Sequence, residues 1–364
     1  MTRIGAARTD HPGVDSTSSR APDTGLPRGL VVLLGLAAAV IVIAGMRGAA
    51  SLLGPAFLAL VLTIAAHPMR GWLDRSLPSW LATLLCLLVV NLVMVALAVT
   101  LVAATARFAT LLADYEAEFN AWTLDAADRL HQLGVSPEQI QHVADSFDLS
   151  RLTGLVTGAV TGVLGVASSL VFIVTLVLFM TIDGSQFPRH LTEAARVRPG
   201  PVDALATFAH GTRSYLLVST VFGLIVAVLD TAVLALLDVP APVLWGLLAF
   251  LTNYIPNIGF VIGLVPPAVL ALLEGGPGLF LAVVVIYSVL NVVIQSVIQP
   301  KVVGDAVGLS TTLTFLSLVF WSWVIGPLGA ILAIPLSLLV RSLLVDADPA
   351  NRWLSPLVAN RDAP

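Results

Sequence analysis

Cysteine and lysine are nearly absent: Cys86 and Lys301 are the only examples of each. One thiol cannot close an intrachain disulfide or build a metal or redox motif, so Cys86, inside an apolar segment, reads as a small core hydrophobe. Val302 follows Lys301, so no G-x-x-x-x-G-K-[ST] phosphate loop exists and the chain is no ATPase by itself. No His-Glu-x-x-His or Gly-x-Ser-x-Gly occurs either. These absences leave no catalytic residue, metal site or cofactor to assign.

Charge is scarce as well. Only 11% of the 364 residues are charged, against about 25% in a soluble domain. The 18 Lys and Arg form no dense cluster, which argues against nucleic acid as a partner. What fills the chain is apolar: 57% of residues are hydrophobic and the mean hydropathy is +0.96. This composition predicts an all-α polytopic protein whose first partner is the lipid bilayer, with about seven to eight transmembrane segments.

Residues 1–28 lack a hydrophobic period and read as a disordered cytoplasmic tail. Three spans follow within 29–106: Gly29 to Met46, Ser51 to Ala66 and Trp80 to Ala106. His67, Arg70 and Arg75 with Trp72 and Trp80 form a basic, aromatic edge suited to the cytoplasmic interface. Asn91 reads as a hydrogen-bonding group between helices. Segment 107–153 carries eight acidic residues against three Arg; its poverty in Arg predicts a helical subdomain on the non-cytoplasmic side. Gly154, Gly158 and Gly162 open a fourth span, 154–182, with a small-residue face for a helix of this chain or of another copy. The linker 183–213, with Arg189, Arg196, Arg198 and Arg213, is expected on the cytoplasmic side as short surface helices.

The transport core is expected in 214–345, followed by a C-terminal tail, 346–364. Its fifth span holds Asp230. An intramembrane carboxylate costs at least ~2.5 kcal/mol on insertion scales, which marks Asp230 as a functional candidate; the alternative is closeness to the interface, since Asp238 follows two turns later. The run 243–273 would rise about 46 Å as one helix, well beyond a hydrocarbon core of about 30 Å. Pro256, Gly259, Gly263, Pro266 and Pro267 interrupt it within twelve residues, and Asn253 and Asn257 flank the break. Broken backbone at membrane depth strands peptide groups, which suits a binding or gating element.

On the next span Ser288, Asn291, Gln295 and Gln299 share one face at three- and four-residue spacing, either as interhelical hydrogen bonds or as the lining of a path. Lys301 and Asp305 could pair across the following loop. The run 312–344 is interrupted at Gly326, Pro327 and Gly329 and again at Pro335, a loose echo of the first broken run. Paired interruptions point to a transporter site between repeats, with Pro266 and these later breakers as hinges. Each broken run either crosses once with a kink or turns back on itself.

The run from Asn253 to Gly259, the loop from Gln299-Pro300-Lys301 to Gly308, and the ending from Gly326-Pro327-Leu328-Gly329-Ala330 to Ile334-Pro335 resemble the autoinducer-2 exporter family of permease-like bacterial proteins. The similarity spans about residues 29–345. The resemblance implies export of small molecules, a quorum-sensing furanone in the name-giving members, with some relatives described as sodium/proton antiporters. It also implies the bacterial cytoplasmic (inner) membrane and a homo-oligomer. By residue, Pro256, Asn257 and Gly259 match the family's break, Gln299 and Pro300 its Gln-Pro pair, and Gly326, Gly329 and Pro335 its final Gly-rich segment.

The leading reading is a secondary transporter for a small polar molecule or ion. Asn253, Asn257, Asn291 and Gln295 supply hydrogen bonds, and Asp230 is the proton or sodium site. A passive channel would use the same polar stripe. An intramembrane aspartyl protease would need Asp230 and Asp305 as its pair, but Val302 stands where a Gly is expected two positions before Gly304.

Overall fold

The computed structural model describes residues 27–114, 158, 161, 170–184, 187–256, 258–299 and 309–348. The N-terminal tail, the acidic segment beyond Asp114, Gly154, Gly162, Asn257, the loop with Lys301 and Asp305, and the last sixteen residues lie outside the described residues. Among the described residues the structure is helical, with no strand.

Helix α1 (Arg28–Gly48) lies mostly in a separate unit ending at Gly45, and its 20 residues from Gly29 are long and apolar enough to cross a membrane. From Met46 onward the chain is one unit. It contains α2 (Ala50–Leu73), α3 (Ser79–Asp114), α4 (Leu170–Asp183), α5 (Phe187–Val197), α6 (Pro199–Leu236), α7 (Pro242–Thr252) and α8 (Gly259–Asn291). A wide π-turn, Val292–Ile298, continues α8. Then come α9 (Thr311–Ile325), α10 (Pro327–Ile331) and α11 (Ala333–Arg341), the last continued by a second π-turn, Ser342–Asp346. Among the described residues, five helical stretches are long and apolar enough to cross a membrane, or six if the bent pair α4 and α5 is one span; α7 and α9 are shorter apolar helices. The chain is therefore an all-α, multi-pass membrane protein.

Helix α6 is the axis of the second half. At 38 residues it rises about 57 Å, so the basic segment from Pro199 onward is continuous with the fifth span. The expected short surface helices are limited to α5, which has no buried residue. Pro199 stands in the first turn of α6, where a missing N–H breaks no bond, so the Pro-Gly-Pro sequence starts a helix where a connection was expected. Phe208, Thr212, Tyr215, Ser219, Phe222, Val226, Asp230 and Leu234 fall at three- and four-residue spacing and are all buried, the single stripe by which a helix packs. Asp230 is on that stripe.

Both broken runs fold back. α7 and the start of α8 are antiparallel: a Cβ on Gly259 would overlap the Thr252 carbonyl oxygen, and one on Gly263 would lie 3.0 Å from Thr252 Oγ1 and 3.2 Å from Ala249 Cα. Helix α8 doubles back in turn. Gln295 hydrogen-bonds Asn253, which touches Gly259, yet a straight helix would separate residues 259 and 295 by about 54 Å. The reversal is at Gly276, at φ 69° and ψ −165°, a conformation open essentially to glycine alone. The prolines expected to break the run do not: α8 passes through Pro266 and Pro267 in helical geometry.

The second run repeats the device. Gly326, at φ 81° and ψ −153°, ends α9; a Cβ on Gly329 would overlap the Trp321 carbonyl oxygen; and Trp321 Nε1 donates to Ser337 Oγ at 3.0 Å across the pair. The later interruption falls at Leu332, before Pro335, which sits in the first turn of α11. Gly158, expected to draw another helix close, has no described atom within 4 Å of where its Cβ would stand.

Candidate functional site

Interrupted helices leave peptide groups to be satisfied, and the tip between α7 and α8 satisfies its own. The N–H groups of Asn253, Tyr254, Ile255, Ile258 and Gly259 all donate to carbonyls within the turn at 2.7–3.4 Å. Those N–H groups are thus taken up in tight turns, contrary to the expectation of a stranded backbone. What the tip offers is side chains, and these tie it to α6.

Asn253 Nδ2 donates to the Ser219 carbonyl at 2.9 Å. Gly223 makes room for it, since a Cβ there would stand 2.8 Å from Nδ2. Tyr215 donates from its hydroxyl to the Tyr254 carbonyl at 2.8 Å. The Tyr254 hydroxyl lies 2.7 Å from Thr220 Oγ1; because Thr220 already donates to the Leu216 carbonyl, Tyr254 is the donor.

From this tip a polar column runs along the returning leg of α8. Gln295 Nε2 donates to Asn253 Oδ1 at 3.2 Å and to Asn291 Oδ1 at 2.8 Å, and Asn291 Nδ2 donates to the Tyr287 carbonyl at 2.9 Å. The column passes through the π-turn Val292–Ile298, a winding often found at functional positions. Gln299 ends this segment, half-buried.

At the far end of the column are two buried polar side chains that have no hydrogen-bond partner among the described residues. Asp230 is 0% exposed and neither carboxylate oxygen has a hydrogen bond; Tyr287 is 1% exposed and its hydroxyl has none. Tyr287 belongs to a buried cluster with Leu234, Trp245, Leu248, Leu270 and Val283. Ser219 and Asp230 are eleven residues apart on α6, a rise of about 16 Å, so the carboxylate and the helix break stand at opposite ends of one column.

The structure thus brings together three of the residues singled out from sequence, Asn253, Asn291 and Gln295; Asp230 is buried on α6 but bonds to none of them. Gly259 and Gly263 serve close helix approach, and Pro256 stands inside the tip turn. Tyr287 is missing from the sequence reading, although it precedes Asn291 by one helical turn on the same face. Ser219, Tyr215 and Thr220 carry no local signal, because a Ser, Thr or Tyr on an apolar helix is ordinary.

Basic residues at the opposite edge hold helices together. Arg70 Nη1 donates to the Thr181 carbonyl at 2.9 Å and Nε lies 3.7 Å from Asp74, while Arg213 Nε donates to the Ile64 carbonyl at 3.5 Å.

The family described as AI-2E family transporter matches residues 30–346. The chain is 32% identical to the AI-2 transport protein TqsA of Escherichia coli (strain K12), over 86% of this chain and 91% of that protein. It is 30% identical to the "Putative transport protein YhhT" of the same organism, over 85% of this chain and 88% of that protein. A family match across nearly the whole helical region, together with two relatives aligned over most of their length, means that this chain belongs to the AI-2E family of membrane transporters.

Proposed function

We propose that the protein is a secondary transporter, an exporter-type permease that moves a small polar molecule or ion across the bacterial cytoplasmic membrane, coupled to a proton or sodium gradient. The observation that carries this reading is the polar column from Asn253 through Gln295 and Asn291 to Tyr287, with Asp230 buried on α6; neither the Tyr287 hydroxyl nor the Asp230 carboxylate has a hydrogen-bond partner among the described residues. A stripe of amides inside an apolar bundle must face protein or water, and the chain reversals at Gly276 and Gly326 supply elements that can move beside it. Asn253, Asn291 and Gln295 bind the passing solute, and Asp230 holds the coupling ion. The resemblance to the exporter family also supports a homo-oligomer.

Autoinducer-2 is the first solute to test, because the relative TqsA is named for its transport. Purified protein in proteoliposomes should accumulate autoinducer-2 against its gradient when a pH or sodium gradient is imposed. Downhill flux alone would mean a channel, and no flux would remove autoinducer-2 as the solute. Asp230→Asn should abolish uphill accumulation while leaving the protein folded; uphill transport by that variant equal to the parent's would remove Asp230 from the mechanism.

A further inference from the structure

A groove of about 450 Å3 lies between α2, α3 and α4, apart from the amide column on α6 to α8. Its wall changes character along its length. At one end are Arg70 of α2 and Ser79, Trp80 and Thr83 in the first turns of α3; Leu84 and Leu87 of α3 and Leu178 and Ile182 of α4 line the rest. Leu84 is 54% exposed and Ile182 51%, so the groove is open along its side.

The polar end has the marks of the membrane surface. Trp72 and Trp80, both largely exposed, are at this end, and tryptophan settles at headgroup depth. Helix α4 ends at Asp183, and α5 begins four residues later with no buried residue. On α5, Phe187, Leu191 and Ala194 fall on one side and Arg189, Glu193 and Arg196 on the other, the pattern of a helix lying in the interfacial layer.

Arg70 is held ready at this end. Its Nη1 donates to the Thr181 carbonyl at 2.9 Å and its Nε lies 3.7 Å from Asp74 Oδ2, so little side-chain entropy remains to be lost on binding. A guanidinium has five N–H groups, and among the described residues the Nη2 pair has no partner. The chain around the mouth, 67–83 and 181–198, carries five Arg against Asp74, Asp183 and Glu193, an excess of positive charge that suits an anion.

We propose that this groove holds one anionic phospholipid, with its phosphate on Arg70 and an acyl chain along Leu84, Leu87, Leu178 and Ile182. Arg forks are matched to phosphate oxygens. An amphiphile fits a wall that is charged at the surface and apolar below it: a soluble anion would leave the apolar length empty, and a bare hydrocarbon would leave Arg70 unused. The site goes beyond the transport reading and needs only that the chain spans a membrane.

Native mass spectrometry of the full-length protein tests this. After reconstitution in vesicles of equal phosphatidylglycerol and phosphatidylcholine and extraction into an uncharged detergent, the parent should keep one lipid per chain. Phosphatidylglycerol should be favoured about fivefold, the scale of one basic residue beside an anionic lipid, and Arg70→Gln should bring that ratio to about one. Leu84→Trp fills the groove from an exposed position and leaves the Arg70 contacts alone. It should keep no lipid at an unchanged thermal midpoint, and it decides the matter even if Arg70→Gln, which also loses the Thr181 bond, does not fold.

A parent that keeps no lipid or shows no preference, a ratio unchanged in Arg70→Gln, or lipid kept undiminished in Leu84→Trp would overturn the proposal. Release of the phospholipid by excess glycerol phosphate would also overturn it, because the groove would then be a site for the soluble headgroup. So would an oligomer that Leu84→Trp dissociates while the parent carries no lipid, which would put a second copy of the chain in the groove.

Discussion

The two folded-back hairpins use the same backbone device and differ in what they hold. In the first, Gly259 lies against the Thr252 carbonyl; in the second, Gly329 lies against the Trp321 carbonyl. The first hairpin's tip is tied to α6 through Asn253, Tyr254 and Tyr215 and leads into the amide column. The second is joined across its legs by one side-chain bond, Trp321 to Ser337, among apolar neighbours. Repeated architecture therefore does not mean repeated chemistry: one hairpin is built around polar side chains, and the other packs its apolar legs against α2 and α6.

The shared device is the most sensitive point in both. Gly259→Ala and Gly329→Ala each drive a methyl into a backbone oxygen that cannot turn away, and overpacking against backbone costs about 3 kcal/mol. Each variant should lose most of its folded yield or show a much lower thermal midpoint in detergent, and the two losses should be similar. A mild effect at one glycine alone would mean that the hairpins are not closed in the same way.

Much of this architecture can be read from the sequence, for a physical reason. A wholly apolar helix cannot much exceed the hydrocarbon core without leaving apolar surface in water, so the uncharged runs 243–273 and 312–344 had to break, and Gly326-Pro327 marks one break directly. Pro266 and Pro267 mislead because a proline inside a helix only removes one N–H bond and crowds one carbonyl, which a packed helix absorbs; Gly276 reverses the chain because its φ of 69° is open to it. The stripe Asn291 and Gln295 was legible from helical spacing. Its connection to Asn253 was not, since that depends on two reversals bringing residues 42 apart into contact. Tyr287 was hidden for a simpler reason: a tyrosine in an apolar helix is ordinarily a core residue, and only the missing partner of its hydroxyl sets it apart.

A second pair of substitutions separates chemistry from packing. Asn253→Ala removes the donor to Ser219 and the acceptor for Gln295, and Ser337→Ala leaves the Trp321 N–H unpaired; each should cost about 1–2 kcal/mol. Equal losses of stability should come with unequal losses of transport. Asn253→Ala should lower autoinducer-2 flux by about tenfold, equivalent to ~1.4 kcal/mol, while Ser337→Ala stays near the parent rate. If both variants transport alike, the amide column is structural and the contrast between the hairpins is lost.

The smallest difference between the hairpins concerns how each adopts a left-handed backbone. The second uses Gly326, while the turn leading into the first uses Ala241, at φ 58° and ψ 47°, beside Asp238 at φ 55°. A left-handed L-residue costs roughly 1–2 kcal/mol, and a glycine brings back about 0.5–1 kcal/mol of backbone entropy on unfolding. Ala241→Gly should therefore raise stability by less than about 1 kcal/mol, a small increase in the thermal midpoint at unchanged transport. The turn is also held by Trp245 Nε1 donating to the Pro240 carbonyl at 2.7 Å, which fixes the backbone whichever residue stands at 241. A lower midpoint would mean that the alanine methyl contributes packing worth more than the strain it causes, and that the turn into the first hairpin is held by its apolar neighbours as firmly as by its backbone.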